Sequence, residues 1–213
     1  MFSRALAFVA AAVFSLSAFA AEPIFEGHDY TRVSPPRAVA TGNKVEVLEF
    51  FWYRCPHCFQ LEPALSKWLK TLPKDAQIRR VPAVFRPDWM PGAKLYYALE
   101  EMRLLGRLHH KVFDAYHIEG LDLDNPEVLR TWLTKHRIDQ TKFNVAYNFG
   151  GPGKAKAGQK LATAYGIQGV PAFIVDGKYA TSVSQAGSEA RLFEVLDQLI
   201  AKARAERKAK KSK

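Results

Sequence analysis

Residues 44–53 read Lys-Val-Glu-Val-Leu-Glu-Phe-Phe-Trp-Tyr, and beyond Leu48 they are apolar on both faces except at Glu49. That is the pattern of a buried strand. Arg54-Cys55-Pro56-His57-Cys58 follows without a turn. Phe59, Leu61, Leu65, Trp68, Leu69 and Leu72 then recur at helical spacing, so a helix starts inside the cysteine motif and runs to about Leu72. Pro56 suits its first turn, where a missing N–H costs nothing, and Pro63 should kink it. Residues 76–85 form a second strand, completing a strand–helix–strand unit of the kind that seeds a parallel sheet.

The pattern then changes. Leu95, Tyr96, Leu99, Met102 and Leu105 make a helical stripe over residues 92–107, and a short helix follows over 109–116. Asn125-Pro126-Glu127 combines a cap, a first-turn proline and a first-turn acid, which starts a helix running to about His136. Asp139 caps another, with Ile138 and Phe143 at hydrophobic-staple spacing. Gly150-Gly151-Pro152-Gly153 should break it before one more helix, over 154–165, that stops at Gly166. Residues 171–175 resume the sheet, Asp176-Gly177 is a hairpin turn, and residues 178–183 supply the partner strand. Ser188 caps a last helix with Leu192, Phe193, Leu196, Leu199 and Ile200 on one face. Pieces of one sheet thus flank a helical block at 91–151. This predicts an α/β protein, with 21–90 and 152–201 as one discontinuous domain and the block as an insertion. Residues 21–43 are polar, contain Pro and Gly, and read as irregular.

Composition narrows the classes. The chain has 213 residues, enough for one or two domains. Its 48% hydrophobic content and 14 phenylalanines supply a core and argue against disorder. Two cysteines exclude a disulfide-stapled scaffold and a four-cysteine zinc site. No internal apolar run approaches the ~20 residues of a membrane-spanning helix.

The first twenty residues read as an address. Arg4 is the only charge before Glu22, residues 5–20 are apolar apart from two serines, and they end Ala18-Phe19-Ala20. A basic start, a short apolar segment and an A-x-A ending make a secretory signal peptide over 1–20. The small residues before Ala21 and the polar stretch from Pro23 favour cleavage over a retained anchor. The mature chain then works outside the cytoplasm, where disulfides persist, and a bacterial periplasm fits. The net charge of +10 is concentrated at the other end, where 202–213 hold seven basic residues and one acidic. This basic tail reads as a solvated helix end that frays. Export argues against a nucleic-acid partner, and attraction to anionic lipids is weak.

The chemistry lies in Cys55-Pro56-His57-Cys58, which holds both cysteines. Two intervening residues on the first turn of a helix let the sulfurs bond in a small, reducible loop. The helix N-terminus favours a thiolate on Cys55, and His57 and Arg54 add positive charge. A structural disulfide would more usually close a long loop. Zinc would need two more ligands, and the other histidines show no paired spacing near the motif. Covalent haem attachment needs His where Phe59 stands. Redox exchange is the favoured reading. His109, His110, His117 and His136 read as surface or core-edge residues.

Leu48-Glu49-Phe50-Phe51, Cys55-Pro56-His57-Cys58-Phe59-Gln60 and Gly169-Val170-Pro171-Ala172, in that order around a helical insertion, closely resemble the DsbA family of periplasmic thiol:disulfide oxidoreductases. The resemblance covers nearly the whole mature chain. It implies a thioredoxin-like fold with an inserted all-helical domain, a monomer without metal or organic cofactor, and oxidation of cysteine pairs in exported proteins. It implies reoxidation by a DsbB-like quinone-linked membrane oxidase. It makes Cys55–Cys58 the active disulfide, with Cys55 the exposed nucleophile and Cys58 the buried resolving cysteine. Pro56 and His57 tune the potential, and Val170-Pro171 matches a cis-proline loop that binds extended substrate. Glu49 is either a strand carboxylate reaching solvent at a sheet margin or, as in thioredoxin-like proteins, a buried proton relay beneath the disulfide. Arg54 and the basic tail depart from the family pattern. The alternatives are a disulfide isomerase, whose relatives usually carry a dimerisation domain, and a thiol chaperone or metal carrier using Cys55 and Cys58 as ligands.

Overall fold

The computed structural model describes residues 22–211. The expected signal peptide and the last two residues of the tail lie outside the described residues. The strands are β1 (Thr31–Arg32), β2 (Val45–Phe51), β3 (Ala76–Pro82), β4 (Ala172–Val175) and β5 (Tyr179–Thr181). They form one sheet in the order β1-β5-β4-β2-β3. β2 is parallel to β3 and antiparallel to β4. α1 (Pro56–Leu69) makes the crossover between β2 and β3. Between β3 and β4 lie α2 (Met90–Glu101), α3 (Leu105–His117), α4 (Pro126–Lys135), α5 (Gln140–Val145) and α6 (Gly151–Ala164). α7 (Val183–Ala186) and α8 (Glu189–Lys211) close the chain.

Strand alternation sorts the core. Val45 and Val47 pack with Leu61 and Leu65 of α1, Phe173 and Val175 of β4, and Leu192, Leu196 and Leu199 of α8. Leu48 and Phe50 face the other way, onto Val81, Ile174 and Ala162 of α6. Phe51 at the end of β2 and Tyr53 just beyond it join Cys55 and Cys58 to the core of the helical block through Tyr96, Leu99, Val112 and Phe113. The motif therefore sits where the sheet meets the inserted helices.

Several elements differ from the sequence expectation. β2 stops at Phe51, and a short turn separates it from the motif. α1 runs through Pro63 to Leu69. Pro63 is exposed, so water can satisfy the carbonyl that its missing N–H leaves free. The expected helix over 92–107 is two helices, because Arg103 takes a left-handed conformation (φ 57°) and the Leu104 N–H closes back on the Leu99 carbonyl at 2.8 Å. This is the capping geometry glycine usually provides, and arginine gives no sequence cue for it.

Gly150-Gly151-Pro152-Gly153 does not break the helical run. A widened π turn over Ala146–Gly150 leads directly into α6, with Pro152 in its first turn. The glycine serves packing, since a Cβ on Gly151 would lie 3.3 Å from the Lys94 backbone of α2. At the other end, the basic segment is ordered helix through Lys211. The Arg204 Nη2 donates to Asp75 at 2.8 Å, the Arg207 Nε donates to Asp176 at 2.8 Å, and Ala203 is buried. The tail as far as Lys211 is a continuation of α8 and not a frayed end.

Candidate active site

Cys55 is the N-cap of α1 and Cys58 sits within its first turn, facing inward with Leu61 and Leu65. Both cysteines carry free thiols in this structure. Cys58 is 2% exposed and Cys55 only 7%. The expected exposed nucleophile is therefore mostly covered, while Pro56 and His57 are exposed beside it. The cover includes the Val170–Pro171 loop, whose peptide bond is cis, with the Cys55 Sγ 3.4 Å from the Val170 carbonyl oxygen.

The two sulfurs titrate in opposite directions. The Cys58 thiol beside it, followed by the backbone N–H groups of Cys58 and His57 and the His57 charge, lowers the Cys55 pKa to about 6 against the effect of burial. These are the free donors of a helix start, which favour negative charge. Burial, then the hydrogen bond and charge of Cys55, push Cys58 well above an ordinary thiol. Arg54 is engaged elsewhere. Its guanidinium lies 2.8 Å from Asp124 and 3.3 Å from Asp122, over the Tyr116 ring. Its charge is neutralised by the loop before α4.

That pairing is one of several holds the inserted helices keep on the Trp52–Arg54 turn. His117 Nε2 lies 2.8 Å from the Tyr53 carbonyl oxygen, and its ring stacks on Phe59. The Tyr53 hydroxyl lies 2.8 Å from His109 Nδ1. Trp52 stacks on Trp89 with centroids 3.9 Å apart. The Trp52 carbonyl in turn accepts the Cys55 N–H at 3.0 Å. His109 is thus a buried core residue, not the surface or core-edge residue its sequence context suggests.

Glu49 is 3% exposed, on the interior strand β2, which removes the reading that its carboxylate reaches solvent. The parallel register sets it opposite Arg80, whose Nε donates to it at 2.8 Å. Arg80 Nη2 also donates to both oxygens of Glu62 on α1, at 3.0 and 3.1 Å. Burial raises the Glu49 pKa beyond what Arg80 offsets. Glu62 is also raised by burial, but contacts with His109, Arg80 and Ser66 bring it below the usual range. Sequence reasoning missed Arg80, Glu62 and His109. A signal was present: two neighbouring parallel strands carry two charges each, Glu46 and Glu49 on the fully buried β2 and Arg79 and Arg80 on the partly buried edge strand β3. Charges in such strands must pair with one another.

Comparisons with known proteins agree with this geometry. A family model described as a DSBA-like thioredoxin domain matches residues 91–199. The thiol:disulfide interchange protein DsbA of Azotobacter vinelandii is 39% identical over 175 residues, 82% of each chain. That of Pseudomonas syringae pv. tomato is 36% identical over 206 residues, 96% of each. The crystal structure of Pseudomonas aeruginosa DsbA superposes with a TM-score of 0.81 at 37% identity, covering 85% of this chain and 95% of that one. With a thioredoxin-like sheet, an inserted helical domain and a dithiol at a helix start, the chain belongs to the DsbA family of thiol:disulfide oxidoreductases.

Proposed function

We propose that this protein oxidises cysteine pairs in exported proteins with its own Cys55–Cys58 disulfide. The observation that carries the reading is the placement of the pair, with Cys55 at the N-cap of α1 against the cis Val170–Pro171 loop and Cys58 buried in the first turn, where Cys55 is lowered to about 6 and Cys58 raised. A substrate thiolate attacks the Cys55 sulfur and breaks the Cys55–Cys58 bond. Cys58 leaves with the electron pair and takes a proton, as its raised pKa favours. A second substrate thiolate then attacks the substrate sulfur of the mixed disulfide. Cys55 departs as a stable thiolate, a good leaving group. The substrate gains a disulfide, and the two electrons remain on the reduced enzyme.

Pro56 and His57 tune the pair. Val170 and Pro171 receive the substrate as an added extended segment, which gives affinity without sequence specificity. Glu49 serves Cys58 as a proton relay, giving a proton as the disulfide opens and taking it back as it reforms. The thioredoxin-like domain comprises 21–90 and 152–201, and the helical domain 91–151 grips the turn before the motif. Residues 1–20 direct the chain to the periplasm of a Gram-negative bacterium. There a DsbB-like quinone-linked membrane oxidase restores the disulfide.

The test is the equilibrium of the pair with glutathione, together with oxidation of a reduced, unfolded disulfide protein. The expected result is a strongly oxidising pair, with stoichiometric oxidation lost in Cys55→Ser. A pair that stays oxidised in excess reduced glutathione would overturn the reading.

A further inference from the structure

Beneath the motif, two carboxylates share one guanidinium. Glu49 and Glu62 both take their cation from Arg80, and all three are largely buried. Such a set carries one uncompensated negative charge unless a proton is added. The remaining titratable group against it comes from the inserted helices. His109 Nε2 on α3 lies 3.8 Å from Glu62 Oε2, too long for a hydrogen bond, and has no hydrogen-bond partner among the described residues. His109 Nδ1 is engaged by the Tyr53 hydroxyl at 2.8 Å.

The surroundings decide which nitrogen holds the proton of a neutral ring. An ionised carboxylate accepts only, so the charge of Glu62 favours a proton on the nitrogen that faces it. Nδ1 then accepts from the Tyr53 hydroxyl. A second proton on Nδ1 turns that bond around, with the ring donating to the Tyr53 oxygen. Nε2 faces Glu62 across 3.8 Å in both states, and charging the ring takes from the buried Tyr53 O–H its acceptor among the described residues, so the imidazolium forms only where negative charge around it offsets that loss. The titratable and charged groups facing the ring are Glu62 from α1, Arg80 from β3, Tyr53 after β2, Tyr96 from α2 and its own neighbour His110. Glu49 acts on it through Arg80. Burial lowers the His109 pKa and Glu62 opposes this.

We propose that His109 is a positioning residue of the redox centre, sharing one proton with the Glu49–Arg80–Glu62 cluster and holding it more firmly when the cysteines are reduced. The proposal rests on the dithiol-oxidase reading. Reduction breaks the Cys55–Cys58 bond, puts two electrons on the sulfurs, leaves Cys55 as thiolate and protonates Cys58. The added negative charge favours a proton nearby, and His109 is a seat for it at the far end of the cluster from Glu49. Because a proton held more firmly in the reduced state favours reduction, acid makes the pair more oxidising through His109. A difference of ~0.5 pH unit between the two redox states corresponds to about a threefold step in the redox equilibrium constant.

The experiment has two arms. Nitrogen NMR of His109 in the full protein, titrated in the oxidised and the reduced state, should show the Nε2–H tautomer and a higher pKa when reduced. The glutathione equilibrium of the wild type and His109→Gln, measured across the same pH range, should differ by that threefold step, with the step absent in the variant. His109 titrating alike in both redox states, or a variant with the wild-type pH profile, would overturn the proposal. Either result would leave the oxidase reading standing, since that depends on the absolute equilibrium and on Cys55. Should His109→Gln not fold, the wild-type titration alone decides.

Discussion

The Sγ of Cys55 lies 3.4 Å from the carbonyl oxygen of Val170, across 115 residues of sequence. The contact suits a thiol, which donates to the oxygen. A thiolate has no proton to share there, so its stabilisation comes from the motif side, from Cys58 and the N–H groups of the helix start. Loss of the proton leaves the Val170 oxygen without that donor.

Cys55 should titrate near the value its surroundings set, about 6. The alkylation rate of the reduced protein against pH, with Cys58 replaced by Ala as a control on assignment, gives the midpoint. Because the Cys58 thiol is the largest stabiliser, Cys58→Ala should raise that midpoint without restoring it to ~8.5. A wild-type midpoint near ~8.5 would remove the basis of the mechanism.

Arg54→Ala should leave the Cys55 midpoint where it is. The guanidinium is committed to Asp122 and Asp124, and removing it takes away a partly exposed ion pair worth ~0–1 kcal/mol. A clear rise in the Cys55 midpoint would mean that the charge reaches the sulfur after all.

His57→Ser should raise the Cys55 midpoint modestly, because the His57 charge contributes less than Cys58 and the two backbone N–H groups, and its own backbone N–H survives the substitution. The reduction potential should fall with it, by ~30 mV for each pH unit of pKa change, since both equal about 1.4 kcal/mol for a two-electron couple. His57 is exposed, so the melting temperature should hardly move. An unchanged potential in a folded protein would shift the tuning to Pro56 and the helix start.

Much of this was readable along the chain because its signals are local. The cap at Asn125, the Asp176-Gly177 turn and the cysteines on the first turn of a helix each declare themselves within a few residues. The cap on α2 was illegible, since Arg103 takes a glycine's conformation. Gly150-Gly151-Pro152-Gly153 misled because close packing on α2 and a chain break call for the same residues. The buried charge cluster was hidden for another reason. Glu49, Glu62, Arg80 and His109 lie on β2, α1, β3 and α3, and only the strand register and the crossover bring them together. Exposure of Cys55 depended likewise on a loop from far along the chain.

The end of α8 should matter to stability in a way a frayed tail would not. Asp176 is 4% exposed in the β4–β5 turn and is held by Arg207 and, at 3.0 Å, by Lys178. Arg207→Ala leaves that carboxylate with half its partners, which should cost ~1–3 kcal/mol. Truncation after Ala201 should cost more, since it also removes buried Ala203 and the Glu206 contacts with Lys178 and Tyr179. Thermal melts of both variants decide it, each kcal/mol moving Tm by ~2–4 °C. A truncated chain that melts like the full one would restore the solvated-tail reading.

The last expectation is an inversion of the usual effect of a disulfide. A four-residue loop constrains the unfolded chain little. The thiolate, by contrast, is stabilised by contacts that exist only in the folded reduced protein. Cys55 is lowered from ~8.5 in the unfolded chain to about 6, so its contribution is fully present above the unfolded value and is lost as pH falls through the folded one. Cys58 acts oppositely. Its raised pKa makes the folded state hold a proton that the unfolded state releases above ~8.5, which removes stability at high pH. The advantage of the reduced form should therefore peak near pH ~8, at up to ~3 kcal/mol, and shrink towards zero below about 6. Denaturant melts of both redox forms at several pH values trace it. An oxidised form that melts later at pH ~8, or a gap that does not narrow in acid, would show that Cys55 ionisation is not what favours the reduced enzyme.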